Sequence, residues 1–186
     1  MRCTFARGTP IALALAMAGC GDGSQGAQTG ERNGDNDRID ACALATPAEI
    51  TTLAGAQYTK AEGRFDEHRY MKPVAYTASC MYTGPGTMVM VAVEYPSLGA
   101  ATSSAELAER VTKFLRSQEE SDSSIAELYR NTRVQAVDGL PVPAAEYEMA
   151  GTATLEAHMP RRKVRVIAGS TDAARKVART VIERLS

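Results

Sequence analysis

Residue types on which enzyme and metal chemistry depends are scarce in this chain. Its 186 residues contain no tryptophan, three phenylalanines and two histidines. No Cys-x-x-Cys pair and no histidine cluster offers the ligand spacing of a zinc site. Neither a Gly-x-Ser-x-Gly nucleophile motif nor a glycine-rich phosphate loop followed by lysine occurs. The sequence therefore predicts no catalytic residues, no metal site and no cofactor.

Long apolar runs are also missing, and a single short run stands near the start. Residues 11–18 form an apolar run of 8 residues, whereas a membrane-spanning helix needs about 20. The run follows two arginines and ends in small residues, which is the pattern of a signal peptide. Two cleavage sites are open. Residues 16–18 suit ordinary signal peptidase, and residues 17–20 (Met-Ala-Gly-Cys) resemble the lipobox of bacterial lipoproteins, with Met17 where leucine is usual.

The cysteine count favours the lipoprotein interpretation. Removal of residues 1–19 as a signal peptide leaves three cysteines, an odd number for an exported chain. If Cys42 pairs with Cys80, lipidation of Cys20 accounts for the third thiol. The resemblance implies that Cys20 becomes the mature N-terminus, with diacylglycerol on its sulfur and a further acyl chain such as palmitate on its nitrogen. Two buried chains anchor a protein stably, whereas one binds only marginally.

The residue after Cys20 bears on localisation. Gly21 stands there, in place of the aspartate that commonly retains lipoproteins at the inner membrane. The resemblance therefore implies an outer-membrane protein that faces the periplasm in a Gram-negative cell. In a cell with one membrane, it implies the outer face of the cytoplasmic membrane.

The expected mature chain is mildly acidic and begins with a polar segment. Removing residues 1–19 changes the formal net charge from −1 to −3, with 19 basic residues against 22 acidic ones. This balance argues against a nucleic-acid partner. Residues 20–39 are rich in glycine and polar side chains, and they predict a flexible tether with a reach of about 25 Å. Residues 40–186 predict a single globular domain.

The first half of this domain predicts a helix followed by strands. Thr46, Pro47 and Glu49 form an N-terminal capping pattern, and Gly55 suits the end of the helix. A strand, a polar loop and two further strands are predicted to follow at residues 56–62, 63–73, 75–84 and 87–96. Both faces of the last strand are apolar, which predicts a central strand covered on both sides.

The second half predicts three helices and three closely linked strands. The first helix spans residues 102–118, and its apolar stripe comprises Leu107, Val111, Phe114 and Leu115. A short helix is predicted from about Ser123 and a final helix from Thr171. The strands are residues 144–150, 152–159 and 163–168. Short links make them antiparallel neighbours, so the predicted fold class is α+β, an antiparallel or mixed sheet flanked by helices.

Cys42 and Cys80 are expected to form a structural disulfide. Cys42 precedes the first helix and Cys80 lies within a predicted strand, so a bond between them would tie the helix to the sheet. Exported chains form such bonds in oxidising compartments. For a separation of 38 residues, the loop-entropy model gives about 4 kcal/mol of stabilisation. Redox and metal roles favour a clustering that these two cysteines lack.

Other polar residues offer weaker candidates for a site. Asp66, Glu67 and His68 adjoin in the predicted loop, where a solvated charged loop is favoured over metal ligation. His158 is expected to be an ordinary surface residue. A basic cluster comprises Arg161, Arg162, Lys163 and Arg165, of which Lys163 and Arg165 should share a strand face. Such a patch suits anionic lipid, peptidoglycan or an acidic partner, although an ordinary charged hairpin is the favoured interpretation.

Several motifs together resemble a family of small envelope lipoproteins of unknown function. They are DACALATPAEITTLAG at residues 40–55, Ser-Cys-Met-Tyr at residues 79–82, the stretch 137–145 and the closing AARKVARTVIERL helix. The resemblance covers residues 40–186. It implies a compact α/β sandwich of the PsbP-like kind and a Cys42–Cys80 disulfide, and it implies no catalytic residues.

Three classes of function remain open from the sequence. The favoured one is a non-enzymatic lipoprotein, held at the membrane by its N-terminal lipid, that acts as a binding or accessory module of the cell envelope with an envelope protein as partner. The alternative is a periplasmic inhibitor or immunity-type protein of an envelope enzyme. The third is a hydrolase, for which no pair of carboxylates is selected.

Overall fold

The computed structural model describes residues 38–71, 74–97, 99–121 and 126–186. Cys20, the signal peptide and nearly all of the tether lie outside these ranges. Within them, a 3₁₀ helix at Ala41–Leu44 precedes four α-helices: α1 (Pro47–Ala54), α2 (Ser104–Ser121), α3 (Ala126–Asn131) and α4 (Thr171–Leu185). The strands of the same ranges are β1 (Lys60–His68), β2 (Ala75–Gly84), β3 (Thr87–Tyr95), β4 (Val134–Val137), β5 (Ala144–Met149), β6 (Thr152–Met159) and β7 (Arg162–Ala168).

These seven strands form one open antiparallel sheet in the order β1-β2-β3-β7-β6-β5-β4. Two meanders therefore meet where β3 pairs with β7, and Val91 lies opposite Val166 at this junction. The predicted α+β class is confirmed, and the sheet is antiparallel rather than mixed.

The first face of the sheet carries the main core. Val91 and Val166 point to this face and are fully buried, together with Leu155 of β6. Helix α4 packs over β6 and β7 and buries Val177 and Val181 against them. The apolar spacing predicted for the last helix is thus confirmed, because its stripe meets a face made of small and β-branched side chains.

Helix α1 begins and ends where its capping pattern predicts. The Thr46 hydroxyl accepts from the backbone N–H of Glu49 at 3.3 Å, and the Glu49 carboxylate accepts from the backbone N–H of Thr46 at 2.8 Å. Gly55 follows with φ 72° and donates its N–H to the Thr51 carbonyl. This left-handed conformation favours glycine, so the helix stops there.

The second face of the sheet has a smaller cluster under α2. This helix packs on β4 and β5 and buries Leu107, Val111 and Leu115 beside Ala145. The prediction that Phe114 joins this stripe is wrong, since its side chain is 54% exposed. Phe114 is rotated by about 100° from Leu115 around the helix axis. It therefore lies on a flank of α2.

The predicted polar loop over residues 63–73 is wrong for its first part. Residues 63–68 continue β1 and pair with β2 as far as His68 opposite Ala75. Strand β1 is at the edge of the sheet, and most of its side chains are exposed. Charged residues protect an edge strand from pairing with other chains. Its composition for that reason resembles that of a loop.

Candidate recognition surface

The candidate site is the part of the second sheet face that lies beyond α2. Five apolar side chains occupy it, and we call them the methionine surface: Met81, Met88, Met90, Ala92 and Ile167. The strand register places Met81 opposite Met90, and Met90 opposite Ile167. Met88 is 41% exposed, and the other four side chains are partly buried. Met81, Met90 and Ile167 form one apolar row across β2, β3 and β7. Met88 and Ala92 flank Met90 along β3.

The prediction that β3 is covered on both sides is wrong. Val89, Val91 and Val93 are buried on the first face, but the alternate residues Met88 and Met90 stay accessible on the second. In the part of the chain that the structure describes, no helix packs across this face of β2 and β3. Methionine is unbranched and adapts its shape to a neighbour. A methionine-rich face therefore suits contact with a partner molecule.

Paired charges border the methionine surface. Lys163 Nζ lies 2.8 Å from Glu94 on β3, and Arg165 Nη2 lies 3.0 Å from Glu156 on β6. Glu156 is buried, and the neighbouring Arg165 Nε is buried without a hydrogen-bond partner among the described atoms. These pairs balance charge beside the apolar row. An apolar centre with a polar border is the usual organisation of a protein–protein interface.

The structure distributes the four basic residues of the predicted patch over different places. Lys163 and Arg165 share the second face with Ile167, as their alternation predicts, and each lies beside a glutamate. Arg162 alternates to the other side of β7, and its Nη1 donates to the Leu185 carbonyl at 2.7 Å. Arg161 is exposed in the β6–β7 turn at φ 64°. A surface that gathers all four side chains is therefore not formed.

Cys42 and Cys80 form the expected disulfide, with an S–S distance of 2.04 Å and a Cα–Cα distance of 5.0 Å. The bond joins the 3₁₀ helix to β2. Strand β1 passes close to it, because a Cβ atom at Gly63 would lie 3.3 Å from Cys42 Sγ. The lipobox cysteine Cys20 lies outside the described residues.

The two histidines have structural partners. The expectation that His158 is an ordinary surface residue is wrong, because it is half-buried and its Nδ1 accepts from the Ala101 backbone N–H at 3.1 Å. Burial lowers the pKa of His158, and the charge of Glu156 opposes this effect. His68 lies in β1, with Nε2 2.9 Å from the Thr77 hydroxyl. The described ranges contain no group of three or more potential metal-ligating side chains.

A cleft of about 500 Å³ lies beside β4, β5 and the start of α4. Glu146 is 4% exposed there, and its two carboxylate oxygens accept from Arg175, one of them from Nε at 2.7 Å. The hydrogen bonds that Arg175 donates to Glu146 raise the pKa of Arg175. Because both carboxylate oxygens are occupied, the pair acts chiefly as a connection between β5 and α4.

The chain has no match among protein-family models, curated proteins or solved structures. Within the described ranges, no helix is both long and apolar enough to cross a bilayer. Function is therefore inferred from the residues and their geometry.

Two features of the structure, one on each face of the sheet, were not predicted from the sequence. The Glu146–Arg175 pair had a detectable signal, since an inward-facing glutamate on a buried strand needs a charged partner. The exposure of the methionine surface had a weaker signal in the sequence. On β3 the first face carries Val89, Val91 and Val93 in succession, whereas the second carries Met88 and Met90, and this difference between the faces was the available sign of unequal burial.

Proposed function

We propose that this protein is a lipid-anchored, non-enzymatic binding module of the cell envelope, with the methionine surface as its recognition site. The observation that carries the proposal is the partly exposed apolar row on β2, β3 and β7, bordered by balanced ion pairs. Single exposed apolar residues are ordinary on a protein surface. A contiguous apolar group with a polar border indicates an interaction site.

The polar groups near this face support a binding role rather than catalysis. His158 accepts from a backbone N–H, Glu156 pairs with Arg165, and Glu94 pairs with Lys163. A catalytic acid or base must exchange its proton with a substrate. In this arrangement the side chains are committed to contacts within the protein.

The cysteines support the membrane anchor. Cys42 and Cys80 are joined in the disulfide, which leaves Cys20 as the remaining thiol of a chain that begins there. With the lipobox resemblance of residues 17–20, this favours lipidation of Cys20 and an outer-membrane position facing the periplasm, or the outer face of the cytoplasmic membrane. The resemblance of residues 40–186 to small envelope lipoproteins belongs to the same proposal.

Mass spectrometry of the protein from its native membrane tests the anchor. We expect a mature species that begins at Cys20 and carries diacylglycerol, and we expect Cys20→Ala to move the protein to the aqueous fraction. A species that begins at Gly19 and carries no lipid would overturn the anchor.

A pair of matched variants tests the recognition surface. Met88→Glu places a charge on the methionine surface, whereas Leu128→Glu changes a residue of similar exposure, 37%, on α3. We expect Met88→Glu to lower the recovery of the envelope partner about tenfold, the effect of roughly 1.4 kcal/mol in binding, and Leu128→Glu to leave it unchanged. Equal recovery from both variants would contradict this site. A single stoichiometric enzyme that loses activity on binding would favour the inhibitor alternative.

A further inference from the structure

We propose that the tip of the β1–β2 hairpin, Arg69–Met71, rests on the bilayer surface and orients the anchored domain. The inference depends on the proposed lipid anchor and adds which end of the sheet faces the membrane. The binding partner proposed for the hairpin tip is a bilayer with anionic headgroups.

The hairpin tip has the side chains that favour a membrane interface. Tyr70 is 81% exposed and Met71 is 40% exposed, and the Arg69 side chain is 82% exposed beside Glu67. Tyrosine places its ring and hydroxyl at the level of the lipid headgroups. Arginine keeps its charge in water while its methylene groups cover apolar surface. The backbone N–H of Met71 donates to the His68 carbonyl at 3.1 Å, which holds these residues in a turn.

The chain approaches the domain from the same end of the sheet. Cys42 lies beside Gly63, whereas the Arg38 guanidinium lies 4.0 Å from the ring centroid of Phe65. From residue 42 back to residue 38, the chain therefore runs along β1 towards His68. Phe65 is three residues before His68, a distance of about 10 Å along a strand. The segment that leads to Cys20 thus joins the domain near the hairpin tip.

The length of that segment keeps the tip close to the bilayer. Seventeen residues separate Cys20 from Arg38, and a glycine-rich chain of this length has a reach of about 25 Å. Such a reach holds the domain at a high effective concentration beside the membrane. A small apolar and basic contact then suffices to select one orientation.

A second turn stands at this end of the sheet. Asp66 of β1, Thr77 of β2, Glu94 of β3 and Lys163 of β7 are opposed in a single row. The β6–β7 turn with the exposed Arg161 follows just beyond this row, and the Ser97 N–H donates to the Arg161 carbonyl at 2.7 Å. Strands β2 and β7 are two spacings apart, about 10 Å. The two turns therefore provide two neighbouring points of contact.

This orientation leaves the methionine surface accessible. The row of Met81, Met90 and Ile167 lies four residues along the strands from the row of Thr77, Glu94 and Lys163. Four residues span about 13 Å of strand. With the hairpin tip on the bilayer, the apolar row stands away from the lipid and faces a partner in the aqueous phase.

The absence of tryptophan from the chain permits a direct test. The chain from Cys20 to Ser186 is coupled through the Cys20 thiol to a maleimide lipid, in vesicles of phosphatidylethanolamine, phosphatidylglycerol and a brominated lipid. Tyr70→Trp reports from the hairpin tip, and Phe114→Trp reports from an exposed position on α2. We expect bromine to quench Tyr70→Trp at least twofold more than Phe114→Trp, with a blue shift of its emission. Equal quenching at both positions, or none at Tyr70→Trp, would overturn the proposal.

Two further measurements test the hairpin side chains and the headgroup charge separately. Met71→Asp in the Tyr70→Trp background should reduce quenching at least twofold while circular dichroism stays unchanged, and undiminished quenching counts against the hairpin contact. Replacing phosphatidylglycerol by phosphatidylcholine should also reduce quenching, and no change would exclude the anionic headgroup. Since the lipid is attached chemically, these outcomes do not depend on native lipidation, which the mass measurement tests separately.

Discussion

Glu49 and Arg184 are 135 residues apart in the sequence and form an ion pair between α1 and α4. Arg184 Nη1 also donates to the Leu44 carbonyl at 2.6 Å. The Tyr82 hydroxyl donates to the Ala45 carbonyl at 2.8 Å and thereby connects this corner to β2. The first and last helices are therefore held to each other and to the sheet by a small set of charged and polar contacts.

This pair predicts a specific loss of stability in acid. The hydrogen bond from Arg184, with smaller contributions from Thr46, lowers the pKa of Glu49 from 4.5 to about 2. Between these values the unfolded chain binds the proton more readily, so the stabilisation is complete above pH 4.5 and is lost as the pH falls towards 2. We expect Arg184→Gln to make the urea midpoint fall less steeply below about pH 5. Arg179→Gln is the control, because Arg179 lies on the same helix as Arg184 but donates to the Gly139 carbonyl rather than to a carboxylate. Equal slopes in the two variants would contradict the prediction.

His158 predicts a second dependence on pH. Burial lowers its pKa below 6.5, Lys163 and Arg110 act in the same direction, and Glu156 and Glu94 oppose them. The folded chain favours the neutral ring, so stability is complete above pH 6.5 and is lost as the pH falls through the lowered pKa. We expect His158→Gln to flatten the decline of Tm below about pH 6.5, whereas His68→Gln should retain it. An unchanged decline in His158→Gln would count against this role.

Local signals predicted the helix ends and most strands well. The capping box of Thr46 and Glu49 is formed by residues only three positions apart in sequence, and its hydrogen bonds are present. The limits of the prediction are non-local. The exposure of Met88 and Phe114 depends on α2 lying over β4 and β5 rather than over β3, and alternation along one strand does not specify where a distant helix packs.

Gly84 predicts a steric requirement at the end of β2. A Cβ atom at this position would overlap the backbone carbonyl of Gln57. The chain before β1 approaches β2 here, with the Thr59 N–H donating to the Thr83 carbonyl at 3.0 Å. We expect Gly84→Ala to lower the free energy of unfolding by about 1–3 kcal/mol, the usual effect of overpacking. Gly169→Ala is the matched control, because its Cβ would meet no atom within 4 Å. Similar free energies of unfolding for the two variants in urea titrations would contradict this prediction, because they would mean that the backbone at Gln57 shifts at little cost.

The Glu146–Arg175 pair predicts a loss of stability that depends on which partner is removed. Arg175→Met leaves a carboxylate that is 4% exposed without its cation. We expect it to lower the free energy of unfolding by about 2 kcal/mol, less than a fully buried pair would lose, because the Arg175 side chain is 50% exposed. Replacing both residues, Glu146→Leu with Arg175→Met, removes the unpaired charge and should restore most of that loss. Urea titration of the two single variants and the double variant gives the coupling free energy directly. A double variant as unstable as Arg175→Met alone would mean that the pair's packing, rather than the buried charge, determines stability at the junction of β5 and α4.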